Sequence, residues 1–276
     1  MRLLSGPFET EPAARALSIA RPLAVVSAAA ALGAGAGLAA ETGLGAAGQF
    51  GHALASASLH AGFLAAGWVA AFDGREGWRG PALGGAAALV LAALAARVSL
   101  AGALAYLLVP LVHARAAGAW RRNLEWVGWR LPCAPRSILL GAAAGTFLGL
   151  HLIITASLTL GYAVAVHDVG RYLAALAYDV GVNALTAEWL FRGAIFSALW
   201  RRWSFWPAAM VSTACALVRY LLDPALPQAI EAMAGATFYL SLLGLACCAL
   251  RAWSGSLVPG YFATVAFFVA YRTLLV

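Results

Sequence analysis

Asn183-Ala-Leu-Thr-Ala-Glu188-Trp-Leu-Phe-Arg192-Gly-Ala-Ile-Phe-Ser-Ala-Leu-Trp200 is almost wholly apolar, yet it carries an acid and a base. Glu188 and Arg192 are four residues apart, acid first, which places both on one helix face in the favourable order for a pair. In a bilayer each such charge costs about 2.5–3.5 kcal/mol on insertion scales, so it needs a partner or a task. The surroundings say that a bilayer is the right solvent. The chain of 276 residues is 63% hydrophobic and only 11% charged, with a mean hydropathy of +0.84, where a soluble domain carries about 25% charged residues. Its apolar residues come in runs of about 16 to 26, the length of a membrane span. These features predict an all-α, polytopic transmembrane helical bundle with eight or nine spans.

Working outward from the quoted stretch, the chain divides into three parts. Residues 1–115 read as N-terminal transmembrane helices, with spans near 22–40 and 52–72. The segment 81–114 is either one long helix or a tight hairpin turning at Arg97, and charge placement favours the hairpin. Residues 116–136 read as a cytoplasmic loop in which Arg121, Arg122, Arg130 and Arg136 interleave with Trp120, Trp126 and Trp129, as in a segment lying at the headgroups. Residues 137–276 form a core with spans near 137–162, 172–200, 205–222, 229–250 and 256–275. Gly141, Gly145 and Gly149 line one face of the first of these, a groove for close helix approach. The turn before the last span holds Arg251, Gly255 and Pro259. Asp179 is nine residues from Glu188, about 180° around an α-helix, and is expected near the outer end.

The net charge of +7 is carried by arginine alone, since the chain has no lysine. The arginines cluster at span ends, which speaks for the positive-inside rule with a cytoplasmic N-terminus rather than for nucleic acid. Arginine with abundant alanine suggests a bacterial source and hence an inner membrane. A leader with Glu9 and Glu11 before the first span reads as a retained anchor, not a cleaved signal. Cys133, Cys215, Cys247 and Cys248 form no CxxC pair and read as small buried hydrophobes. His52 and His60 share a helix face but read as packing residues, so no metal and no cofactor is expected. The expected partners are membrane lipid, with a hydrophobic peptide or another membrane protein.

Ala187-Glu188-Trp-Leu-Phe-Arg192-Gly193 resembles the Glu-Glu-x-x-x-Arg motif of the CAAX-protease and bacteriocin-processing (CPBP, or Abi) family of intramembrane proteases. Leu124-Glu-Trp-Val-Gly-Trp-Arg130 resembles the segment before that family's core, and Arg251-Ala-Trp-Ser-Gly-Ser-Leu-Val-Pro259 the turn before its last motif, so the resemblance covers about 120–276. The resemblance implies a glutamate-dependent endopeptidase, in which the first glutamate and a histidine of a second motif activate water and a third motif steadies the oxyanion. Here Ala187 stands at the first glutamate, Arg219 at the histidine, and Thr264 and Phe268 at the third motif. At about 1.5 Å per residue, Glu188 and Arg219 lie about 18 and 21 Å from the Arg201–Arg202 end and Thr264 about 12 Å into its span, all at mid-membrane depth.

Peptide hydrolysis needs a base within reach of water and a donor for the oxyanion. Arginine is no base near neutral pH, which leaves Glu188 as the one surviving catalytic candidate. Three readings follow. The first is a catalytically degenerate scaffold or binding protein, with Glu188–Arg192 structural and Arg219 paired to Glu188, to Asp223 or to an anionic ligand. The second is an active endopeptidase with a rewired site using Glu188 and a histidine such as His151. The third is a small permease component, which the lack of internal repeats disfavours.

Overall fold

The computed structural model describes residues 134–166, 168–221 and 230–275 without a break, together with 99–109, 128–129 and a few positions between 62 and 95. The span expected near 22–40, most of that near 52–72, His52, His60, Arg97, Cys133, Asp223 and the arginines Arg115 to Arg130 lie outside the described residues.

Short helix α1 (Leu100–Ala103) runs into a 3₁₀ turn, Leu104–Leu107. It begins at Ser99, whose extended backbone breaks the chain and whose hydroxyl accepts from Gly102 N at 3.0 Å. The apolar segment 81–114 is therefore not one uninterrupted helix. Helix α2 (Pro135–Leu160) starts on a proline, which lacks only an N–H that the first turn leaves unused. It ends at Gly161, whose φ of 68° is the left-handed cap that glycine adopts without strain. Helix α3 occupies 169–200, starting three residues earlier than expected because Asp168 caps it, accepting from Arg171 N at 3.1 Å. Helices α4 (Phe205–Leu221), α5 (Ile230–Ser254) and α6 (Val258–Tyr271) follow. Arg251 lies in the last turn of α5 and Pro259 in the first turn of α6, so the connection between them is tighter than the sequence suggests. Two-residue strands β1 (Ala163–Val164) and β2 (Leu274–Leu275) pair antiparallel, Ala163 opposite Leu275, and close the chain's end onto the α2–α3 connection.

Around an apolar core the bundle buries charges and turns large apolar side chains outward. Asp179, Asn183, Glu188, Arg192, Ser212, Arg219, Arg251 and Thr264 are buried, while Phe147, Ile154, Leu158, Trp206, Met210 and Phe238 point outward. Leu158 is 81% exposed, and together such side chains make the kind of apolar surface that acyl chains cover. Pro135–Leu160 and Met233–Ser254 are long and apolar enough to cross a membrane, and Phe205–Leu221 and Val258–Tyr271 are shorter apolar helices.

Glycine sets the tightest contact. A Cβ on Gly141 or Gly145 would strike the carbonyl of Pro259 or Ala263, and one on Gly149 would sit 2.6 Å from Ala270 Cβ. The glycine face of α2 is thus filled by α6, backbone against backbone.

Candidate functional site

Helix α3 is not a regular α-helix. It is α-helical at Val169–Tyr178, widens into a π turn at Asp179–Asn183, recovers at Ala184–Thr186, and is π again at Ala187–Phe196 before Ser197–Trp200. π geometry usually appears as a single turn and often at functional sites. Here it spans the quoted motif. The carbonyls that it redirects are met by side chains: Arg192 Nη1 donates to Ala187 O at 3.4 Å, Ser197 Oγ to Arg192 O at 3.1 Å, and Ser212 Oγ of α4 to Phe191 O at 2.7 Å.

Glu188 is 0% exposed. Its Oε1 accepts from Thr264 Oγ1 of α6 at 3.2 Å and lies 3.7 Å from Arg192 Nε, so the pair read from the sequence forms inside the bundle. Its Oε2 has no hydrogen-bond partner among the described residues and rests against Gly260, where a Cβ would collide with it. Gly244 of α5 makes matching room for Arg192, since a Cβ there would stand 3.0 Å from Nη2. Cys247 completes this layer, its sulfur 3.6 Å from Gly260 O and 3.7 Å from Thr264 Oγ1. Beside the pair is a small cavity, bordered by Ala187, Arg192, Tyr220 and Thr264, with room for about one water.

The other candidates divide. Arg219 is buried, with its guanidinium carbon 4.8 Å above the Tyr220 ring and 5.8 Å from that of Phe63. Phe268 is buried and stacks on Tyr220 at 6.0 Å. Ala187, Arg192, Thr264 and Glu188 therefore meet in one place, and Arg219 and Phe268 flank it through Tyr220. His151 does not join them. It sits on the outward face of α2, with Nδ1 2.6 Å from Tyr239 Oη. Among the described residues no group of three or more His, Cys, Asp or Glu side chains could hold a metal ion.

The sequence reading missed a second buried charge pair. Asp179, beside the C-terminal end of α6, is 0% exposed. Arg272 grips it with two bonds, Nε to Oδ2 at 2.7 Å and Nη2 to Oδ1 at 3.1 Å. Asn183 Nδ2 donates to Asp179 Oδ1 at 2.9 Å, and Tyr220 Oη donates to Asn183 Oδ1 at 3.2 Å. Both acids of α3 face α6, because each π turn moves the register and nine residues no longer mean opposite faces. The Asp179–Asn183 spacing was the available signal. Trp129, expected at the headgroups, packs its ring 6.2 Å from Trp189 and 6.0 Å from Tyr261. Its neighbour Gly128 accepts from Leu257 N at 2.7 Å, joining the two segments that flank the core.

Residues 169–267 match the family model of the type II CAAX prenyl endopeptidase Rce1-like proteins. The matched stretch runs from the start of α3 through most of α6 and takes in Glu188, Arg192, Arg219 and Thr264. The match bears out the resemblance to the CPBP family read from Glu188-x-x-x-Arg192. No curated protein and no solved structure matches the chain. The match and the outward-facing apolar helices point to a membrane protein of this type.

Proposed function

We propose that this chain is a multi-pass membrane protein of the CPBP type that has kept the family's framework and lost its peptidase, acting as a scaffold or a binding protein for a hydrophobic peptide or another membrane protein. One observation carries the reading. The surviving carboxylate, Glu188, is sealed from solvent and held by the Thr264 hydroxyl and the Arg192 guanidinium, with no histidine among its described contacts. The positions that would activate water or hold an oxyanion are Ala187, Arg219, Thr264 and Phe268. The protein sits in a bacterial cytoplasmic membrane with eight or nine spans and its N-terminus inside, in keeping with arginines gathered at one set of helix ends.

The water-sized cavity bordered by Ala187, Arg192 and Thr264 is the feature that favours a retained endopeptidase. One assay decides between the two. Purified protein in liposomes is given a prenylated CAAX peptide and an unmodified membrane-spanning peptide, and products are read by mass spectrometry. Expected is no cleavage above that of Glu188→Gln. Cleavage by the unaltered chain that vanishes in a folded Glu188→Gln variant overturns the pseudoprotease reading.

A further inference from the structure

His151 stands out because it is exposed inside the most apolar long helix of the bundle. Its Nδ1 is 2.6 Å from Tyr239 Oη and 3.3 Å from Thr155 Oγ1, and Tyr239 donates to Thr155 Oγ1 at 3.1 Å. With the tyrosine proton given to Thr155, the tyrosine oxygen takes the Nδ1–H of His151. Nε2 is then a lone-pair acceptor with no partner among the described residues. His151 is 16 residues from Pro135 and nine from Leu160, so it lies about 24 and about 13 Å from the two helix ends. An imidazole cannot reach the headgroups from there, and acyl chains offer it no donor.

The neighbours on the same face say what does. Phe147, Ile154 and Leu158 are exposed, and with His151 they follow a four-three-four spacing, the seam along which two helices cross at a shallow angle. One polar residue in an otherwise apolar seam sets register and oligomeric state, and its natural counterpart is itself. We propose that two copies of this chain pair in the membrane, α2 against α2, along Phe147, His151, Ile154 and Leu158, with the two His151 rings in contact. The hydrogen bonds balance. In one copy the proton is on Nδ1 and Nε2 accepts. In the other the proton is on Nε2 and is donated across the seam, while that copy's Tyr239 hydroxyl turns to donate to Nδ1. A two-fold pair is the commonest closed assembly and needs one self-complementary patch, which this is.

The inference rests on the membrane reading, and the test separates the two. Full-length chain carrying donor or acceptor dyes on a C-terminal tag is reconstituted in phosphatidylcholine liposomes, and energy transfer is followed against the protein-to-lipid ratio. Expected is transfer above the random-proximity level. His151→Leu should need about three- to tenfold more protein per lipid for equal transfer. His151→Asn, which keeps both donor and acceptor, should recover most of it. Trp206→Leu, on the outward face of α4, should change nothing. His151→Leu puts an apolar side chain on an apolar face, and an unchanged unfolding temperature verifies its fold. Random-level transfer by the unaltered chain, or transfer indifferent to His151→Leu, overturns the seam. Failure to float with the liposomes overturns the membrane reading and the seam with it.

Discussion

Gly260 and Arg272 show how little slack the buried charges have. Glu188 Oε2 lies where a Cβ on Gly260 would go, and the carboxylate is pinned from its other side by Thr264 and Arg192, so it cannot swing away. Gly260→Ala should cost about 1–3 kcal/mol, the usual penalty of overpacking, seen as a lowered unfolding temperature in detergent. Ala187→Ser adds one oxygen beside a water-sized space and should be nearly silent in the same measurement. Arg272→Leu is harsher. It leaves Asp179, fully buried, with Asn183 as its remaining side-chain donor among the described residues, and stripping one partner from a buried pair costs about 3–5 kcal/mol. Asp179→Leu combined with Arg272→Leu removes the stranded charge and should recover most of that loss. A double variant as unstable as the sum of the singles would mean that the two side chains do not act as a pair. Glu188 and Arg192 were legible from residue types and spacing, and Thr264 through the family resemblance. Asp179 was not, because its placement depended on a helical period that the chain does not keep.

That period belongs to α3 as an element. An α-helix turns about 100° per residue, and Asp179 and Glu188 then oppose each other. The observed helix widens twice, and both acids turn to α6, one meeting Arg272 and the other Thr264. Neither widening has a signal in hydropathy, since the residues are apolar either way. What sustains it is polar and distant: Ser212, on the next helix, donates to Phe191 O at 2.7 Å. Ser212→Ala leaves that buried carbonyl without its donor, an effect of about 1–3 kcal/mol, and should raise amide exchange over 187–196 more than over α2. Uniform exchange along both helices would assign the wide geometry to packing instead. The regular helices were far easier to read. For α2 and α4 the run of apolar residues gave bounds within a few residues, and the Gly141–Gly145–Gly149 face found the close neighbour that such a face implies. Short connections were harder. Arg251 looked like a loop residue because it is charged, yet it is buried at the end of α5.

At the scale of the molecule, two small contacts tie the connections into opposite groups. Strand β2 lies against β1, so the chain's end and the α2–α3 connection share one end of the bundle. Gly128 O meets Leu257 N, so the segment before α2 and the α5–α6 connection share the other. If α2 to α6 each cross once, parity puts the Arg201–Arg202 turn with the second group. Arg136 and Arg251 fall there too, against Arg171 and Arg272 at the opposite end. By the positive-inside rule this asymmetry predicts that the Arg201–Arg202 end is cytoplasmic. Such a prediction is sharper than a count of spans, because it does not depend on residues before 99. In intact cells, a cysteine replacing Arg202 should resist a membrane-impermeant maleimide until the membrane is opened, while one replacing Arg171, a side chain 91% exposed, should react at once. Because labelling at native cysteines would blur both results, each variant is compared with the unaltered chain. Equal reactivity at the two sites would mean that α3 does not cross. The reverse order would mean that the bundle crosses but inverted, with its basic end outside.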